Sequence, residues 1–381
     1  MVRKMIYIIV IVGAMLLLKW LDVERRCSSH GSFESEKCEI LERRNFLARW
    51  LVTSPQNVIV AMPKAVGAQF QGEWALYSCS MFATSLANIS RLYPETKEDN
   101  IEYVEHLIDV VLSPELRYYD AMRWGEDPLE TLAEKSSHIS YLSHLALMIC
   151  RFKELGGDDR YDTLLDALCE TMNRRIVESR ALNLPTYPYE NPYIPDMLVA
   201  IVALDIYSDT HDGIYRSTVE RWLERAKRDW IDKQTGLLAS IVDEGGAIVG
   251  DTIKGAYASL NCYYLTFVDE EFAHEQYEKL KSYFWKDGIV AGFKEYSDRT
   301  PVVAFDIDAG PILLGLSPSG TAFATGSATY FDDVAIRKRI LRTAEIAGQT
   351  VRFRGSRHYL LANVALVGEA IMLAMRTHTK Y

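Results

Sequence analysis

Four clusters in this chain have the residue types and spacing for acid–base chemistry. In Tyr141-Leu-Ser-His144 a phenol and an imidazole stand three residues apart, which on a helix puts both on one face. Aimed into a cavity, His144 would shuttle a proton near neutral pH; aimed into a core, it would be a hydrogen-bonded packing residue beside Tyr141. The loop Leu184-Pro-Thr-Tyr-Pro-Tyr-Glu-Asn-Pro-Tyr-Ile-Pro-Asp196 stiffens its own backbone with proline, which would hold Glu190 and Asp196 in place and offer Tyr187 and Tyr189 to a ligand. Asp196 follows Pro195 at a helix start, where a carboxylate also simply offsets the helix dipole. Asp306 and Asp308 would face one side of an extended segment and could split their pKa values as acid and base, unless one of them caps the helix expected to open at Gly310-Pro311. Tyr118-Tyr-Asp120 with Trp124-Gly-Glu-Asp127-Pro128 suits a hydroxylated or sugar-like ligand, with the Trp124 ring stacking and Asp120 and Asp127 accepting from hydroxyls. Asp127-Pro128 is equally an ordinary helix start.

Other chemistries find no foothold. The chain has no phosphate-binding glycine loop, no Gly-x-Ser-x-Gly elbow and no His-Glu-x-x-His pair, so nucleotide, serine-hydrolase and metalloprotease readings fall away. Cys79, Cys150, Cys169 and Cys262 lie among apolar residues at no metal-ligand spacing and read as buried small hydrophobes. No metal and no organic cofactor is expected. With 42 Lys+Arg against 52 Asp+Glu, the formal charge of −10 disfavours nucleic acid as a partner.

These residues need a scaffold, and its pattern is helical. The 381 residues are 49% apolar and contain only six cysteines, so a large core rather than a disulfide framework must hold the fold. Tyr161 to Glu178 carries one apolar stripe, whereas His138 to Leu155 is apolar nearly all round, as an outer and an inner helix would be. Gly156-Gly157-Asp158-Asp159 separates the two. Similar patterns run through about 40–52, 73–92, 99–112, 195–207, 214–230, 254–266, 269–284, 310–316, 319–330, 332–345 and 357–376, while Asn57 to Ala61 and Thr300 to Ile307 look like short strands. Roughly a dozen helices without a proline- or serine-rich divider predict one all-α domain over 40–381, an (α/α)6 toroid of paired helices. An irregular helical bundle is the alternative.

The N-terminus is a separate object. Met5 to Leu18 is an uncharged apolar run between Arg3-Lys4 and Lys19-Trp20, which predicts a membrane anchor or signal segment over 1–22, with a cleaved signal peptide as the other reading. A polar stem over 23–39 follows, in which Cys27 and Cys38 could close one disulfide if the domain is exported. Export of the globular part, tethered to the membrane by this helix, is the expected arrangement.

Taken in order, Tyr141-x-x-His144, the Tyr187-Pro-x-Glu190 loop leading to Asp196, and Asp306-x-Asp308-x-Gly310-Pro311 resemble the linalool dehydratase/isomerase-like proteins over residues 120 to 330. The resemblance implies an (α/α)6 barrel, the architecture shared with six-hairpin glycosidases, and acid–base chemistry on an alcohol in a central cavity without metal or organic cofactor. The cysteine pair of that family's dehydratase has no counterpart between Tyr187 and Ala200. The resemblance implies His144 and Tyr141 as polar pocket residues, Glu190 as a loop carboxylate, and Asp306 and Asp308 as a pocket pair. The leading expectation is a membrane-tethered acid–base lyase or isomerase lacking the thiol pair and acting on a small or sugar-like hydroxylated molecule, with Glu190 or Asp196 as one proton-transfer group and Asp306, Asp308 or His144 as the other. An inverting glycoside hydrolase and a non-catalytic glycan-binding or envelope protein are the alternatives.

Overall fold

How much of each helix surface is apolar sorts the helices into two layers. The structure, a computed structural model, describes residues 14, 18, 20–26, 30–64, 67–250, 253–363 and 365–380. Helices α3 (Ala68–Leu92), α6 (Ile139–Glu154), α8 (Ile194–Thr210), α10 (Gly255–Val268), α12 (Pro318–Tyr330) and α14 (Leu366–Arg376) pack each against the next, and α14 returns to α3. That closes an inner ring of six. Every residue of α8 from Met197 to Asp205 is buried, because both flanks and the outer side are covered.

The outer layer is amphipathic. It comprises α1 (Phe33–Leu51), α4 (Lys97–Leu112), α7 (Asp162–Glu178), α9 (Arg216–Asp229), α11 (Glu270–Phe284) and α13 (Val334–Gly348). In α9 only the stripe Thr218, Val219, Trp222, Leu223 and Ala226 is buried, the i, i+3/i+4 spacing of a helix lying on a core. The expected helical toroid is therefore what the chain forms. Two short helices, α2 (Pro55–Val60) and α5 (Pro114–Trp124), sit in the connections.

The connections are unequal, and that asymmetry places the functional end. Each inner helix reaches its outer successor by a short link, as at residues 93–96, 155–161 and 331–333. The return from outer to inner helix spans 113–138, 179–193, 230–254, 285–317 or 349–365. One rim, formed by the N-terminal ends of the inner helices, thus carries nearly all the irregular chain. Three antiparallel pairs lie there: β1 (Trp285–Lys286) with β2 (Gly292–Phe293), β3 (Val303–Asp306) with β4 (Gly310–Leu313), and β5 (Thr350–Phe353) with β6 (Ser356–Tyr359).

Four expectations need correction. Residues 310–316 are not helical: Gly310 pairs with Asp306 across a hairpin, at φ +78°, and the short apolar run Pro311-Ile-Leu-Leu314 serves a strand as readily as a helix. Pro311 therefore starts no helix. Asn57 to Ala61 is not a strand, because Ser54-Pro55 sets a helix start with proline in its first turn. In 357–376 the helix begins only at Leu366, after β6 and a 3-10 turn over Leu360–Asn363. The helix α1 begins at Phe33, within the stretch read as a stem, capped by Ser32.

No helix of the described residues is long and apolar enough to cross a membrane, and of the run Met5 to Leu18 only Ala14 and Leu18 are described. Cys27, and with it the pairing to Cys38, lies outside the described residues. Cys79, Cys150, Cys169 and Cys262 are buried free thiols.

Candidate active site

Helix α3 contains one carboxylate, Glu73, in its second turn. Its neighbour Gly72 faces Tyr119 of α5 so closely that a Cβ there would stand 2.4 Å from the Tyr119 Cβ. This contact seats α5 on α3, and one turn beyond Tyr119, Arg123 then reaches Glu73 (Nη2 to Oε2 3.3 Å) and lies flat over the Tyr187 ring, 3.5 Å from its centroid. Burial pushes the Glu73 carboxyl up to about 7; Arg123 opposes this, while Asp196 adds repulsion. The Glu73 side chain keeps 18% of its exposure, so solvent reaches it. Gly72→Ala should force the two Cβ atoms apart, destabilise the protein by about 1–3 kcal/mol through overpacking, and pull Arg123 off Glu73. Urea unfolding measures the first effect, and a fall of the Glu73 titration midpoint is not expected, since loss of Arg123 raises it further.

Asp196 stands at the start of α8, behind Pro195. Its Oδ1 accepts from the Tyr77 hydroxyl at 2.8 Å and its Oδ2 from Thr186 at 2.6 Å, so both oxygens are fixed. Burial raises its pKa above the usual carboxylate value, the two hydroxyls pull it back, and Asp308 and Glu190 push it further up. Tyr77 lies one turn from Glu73 on the same face of α3, and its ring sits 4.3 Å from that of His144. The ends of α3, α6 and α8 therefore bring Glu73, Tyr77, His144 and Asp196 into one constellation, with Tyr187 contributed by the proline loop.

The remaining sequence candidates fall into different surroundings. His144 is fully buried, its Nδ1 2.8 Å from Ser80 Oγ, and burial drives its pKa down to about 3, so the ring is neutral at physiological pH. Tyr141 points away from His144, into the seam with α4, where its hydroxyl donates to the Val111 carbonyl at 2.9 Å. Asp306 holds the β3–β4 turn through the Asp308 and Ala309 amides and pairs with Lys254 Nζ at 2.7 Å, which helps to keep its carboxyl below the usual range against burial. Asp308, at the tip of that turn, lies 3.4 Å from Lys254 and beside Tyr257. Glu190 and Tyr189 are exposed, Tyr189 with φ +66°.

Asp120 is buried, with its Oδ2 2.5 Å from Nδ1 of His138, over which Trp124 packs at 5.1 Å. Asp127 pairs with Arg117 at 2.7 Å and accepts from the Leu129 amide, a turn-forming role. Among the described residues no group of three His, Cys, Asp or Glu side chains is placed to hold a metal ion. A cavity of about 530 Å³ lined by Glu270, Glu271, His274, Phe331 and Lys380 belongs to the opposite rim, away from these carboxylates.

Sequence reasoning passed over Glu73, Tyr77 and Arg123. A signal existed for the first: Glu73 and Arg91 are the only charged residues between Ala68 and Leu92, and Glu73 stands in the helix's early turns without a basic residue four positions away. Arg123 had no such mark, because its reach depends on how α5 docks.

Neither a family model nor a curated protein matches this chain. Solved structures do. A family 105 glycoside hydrolase of C. acetobutylicum ATCC 824 superposes with a TM-score of 0.54 at 12% identity, covering 78% of this chain and 92% of that one. An unsaturated glucuronyl hydrolase specific for heparin superposes with a TM-score of 0.53 at 10% identity, covering 87% and 97%. Both likenesses speak for the six-hairpin glycosidase side of the resemblance and lend nothing to its linalool dehydratase side. At these identities what the chain shares with them is the fold.

Proposed function

We propose that this protein is a glycoside hydrolase in which Glu73 is the general acid and Asp196 the general base. The observation that carries this reading is the pair of raised carboxyls in unlike surroundings at the inner-helix rim: Glu73 is pushed to about 7, while Asp196 is held by two hydroxyl donors that favour its ionised form. Glu73 would give its proton to the leaving oxygen as the glycosidic bond breaks, and Asp196 would take a proton from the attacking water. That division of labour predicts an inverted anomer. The shared fold with two glycoside hydrolases supports the substrate class, with fold likeness as an analogy only.

The charge of the rim supports a neutral sugar over a uronate. Glu73, Asp196, Glu190, Asp306 and Asp308 gather their negative charge at this rim, and the two cations paired with them, Arg123 and Lys254, are already engaged by Glu73 and Asp306. Phenols of Tyr77, Tyr187, Tyr193 and Tyr257 supply the rings and hydroxyls for a hydroxylated ligand. The run Met5 to Leu18, charged at both ends, supports tethering of the domain to a membrane.

The test incubates the full-length protein with a panel of neutral and unsaturated uronyl glycosides and reads sugar release, with NMR of the first-formed anomer. Turnover of neutral glycosides is expected, with kcat/KM falling as pH rises through about 7, because an acid must still hold its proton. Sugar binding without turnover across the panel would make the protein a glycan-binding one instead.

A further inference from the structure

The proline loop does more than carry Asp196. The amide of Ile194 donates to the Ser240 carbonyl at 2.9 Å and Tyr193 bridges to Ile241, so the chain around Ser240 is locked two residues from Asp196. Behind this junction lies a hollow of about 110 Å³ whose walls include Ser240, Ile241, Ile248, Ile253, Lys254 and Tyr257. It adjoins the candidate active site directly: the Tyr257 ring meets that of Tyr193 edge-on at 5.8 Å, and Lys254 is the partner of Asp306.

The chemistry of the walls is lopsided. Four of the six are apolar or aromatic. Lys254 is committed to Asp306, and Asp232, which also borders the hollow, already accepts from the Gln234 and Thr235 amides and the Thr235 hydroxyl. Ser240 is different. It is only 7% exposed, and its Oγ is buried without a hydrogen-bond partner. A buried hydroxyl left unpaired is destabilising, so such a group in a functional region calls for a partner.

We infer that this hollow is a specificity pocket for an acetyl or similarly small acyl group carried by the sugar ring, with the acyl carbonyl oxygen accepting from Ser240 and the methyl packed between Ile241, Ile248 and Ile253. A hollow of about 110 Å³ has room for a group the size of acetyl. The location of the pocket beside a sugar site rests on the hydrolase reading above; its own chemistry does not.

The experiment measures binding rather than turnover. The full-length protein is titrated with methyl N-acetyl-β-glucosaminide and with methyl β-glucoside, following ligand signals by saturation-transfer NMR and affinity by calorimetry. Wild type is expected to prefer the acetylated sugar roughly tenfold. Ser240→Ala should cut that preference roughly fivefold, the share of one hydrogen bond. Ile248→Trp, filling the hollow, should erase it while leaving affinity for the plain glucoside unchanged, which also shows that the variant is folded. Equal affinities in wild type, a preference that survives Ile248→Trp, or no binding of either sugar would each overturn the inference. Acyl-dependent binding without hydrolysis would keep the pocket and remove the catalytic reading; hydrolysis of plain glycosides with no acyl preference would do the reverse.

Discussion

Replacing Arg43 with methionine is expected to lower the folding stability by about 3–5 kcal/mol. The ring must close between the first outer helix and the last inner one, and it closes on buried charge. Arg43 of α1 contacts Glu39 on its own helix (2.9 Å), Glu369 of α14 (2.6 Å) and Glu345 of α13 (3.3 Å), and stacks 3.9 Å over the Tyr359 ring. Around it, Arg376 joins Glu39 and Glu36 at 2.7 and 2.8 Å, and Arg337 joins Glu36 at 2.6 Å. These groups are buried, so methionine fills the space but takes from Glu369 its ion-pair partner and leaves Glu345 with the more distant Arg26 at 3.9 Å, while Glu39 keeps Arg376. The loss comes mostly from that lost pairing; removing Glu345 and Glu369 as well, by substitution with glutamine, should recover part of it.

Acid provides a second readout of the same network. Burial alone would raise the Glu39 pKa, yet Arg376 and Arg43 outweigh it and hold the carboxyl far below its ordinary 4.5; Glu36 is lowered in the same way by Arg376 and Arg337. A carboxylate depressed in the folded state contributes stability that is present above its unfolded pKa and is lost as pH falls below it. Wild type should therefore lose stability steeply below about pH 4.5. In Arg43→Met that acid loss should be shallower, because Glu39 is then held down by Arg376 without the help of Arg43. Urea midpoints at a series of pH values separate the two curves.

The layered architecture was legible because each inner helix is buried on every side and each outer helix on one. Residues 139–154 and 162–178 show the contrast in the bare sequence, and the toroid follows from its repetition. What the pattern hid was the closure. Glu36, Glu39, Arg43, Glu345, Glu369 and Arg376 look like solvated charges on helices, and Glu36 and Glu39 fall where a polar stem was expected, because burial of a charge depends on partners more than 300 residues away. The rim was hidden for a related reason. Asp306 and Asp308 are a visible pair in the chain, but Lys254 and a hairpin turn decide what each carboxylate faces, and no spacing rule encodes that. Asp196 was visible by its position after Pro195, whereas Arg123 reaches Glu73 only through the close approach that Gly72 permits.

Glu73→Gln and Asp196→Asn are each expected to cut kcat about 10²–10⁴-fold, the usual worth of a positioned acid or base, but in different ways. Glutamine cannot donate the proton that a leaving alkoxide needs, so Glu73→Gln should be severe on alkyl glycosides and mild on aryl glycosides whose leaving group departs unaided. Asp196→Asn removes activation of water, which every substrate requires, and should be severe on both. A rate ratio between the two substrate types that shifts only in Glu73→Gln assigns the acid; no shift would sink that assignment. Stability offers an independent check with the opposite sign. A carboxyl raised from 4.5 to about 7 in the fold loses stability as pH climbs between those values, and at about 1.4 kcal/mol per pH unit the full loss is about 3 kcal/mol. The remaining exposure of the side chain reduces that figure to about 2 kcal/mol. Glutamine does not titrate, so Glu73→Gln should be more stable than wild type at pH 8 by roughly that amount and no more stable at pH 4. A group that weakens the fold at working pH yet is needed for turnover is what a site selected for chemistry rather than packing should contain.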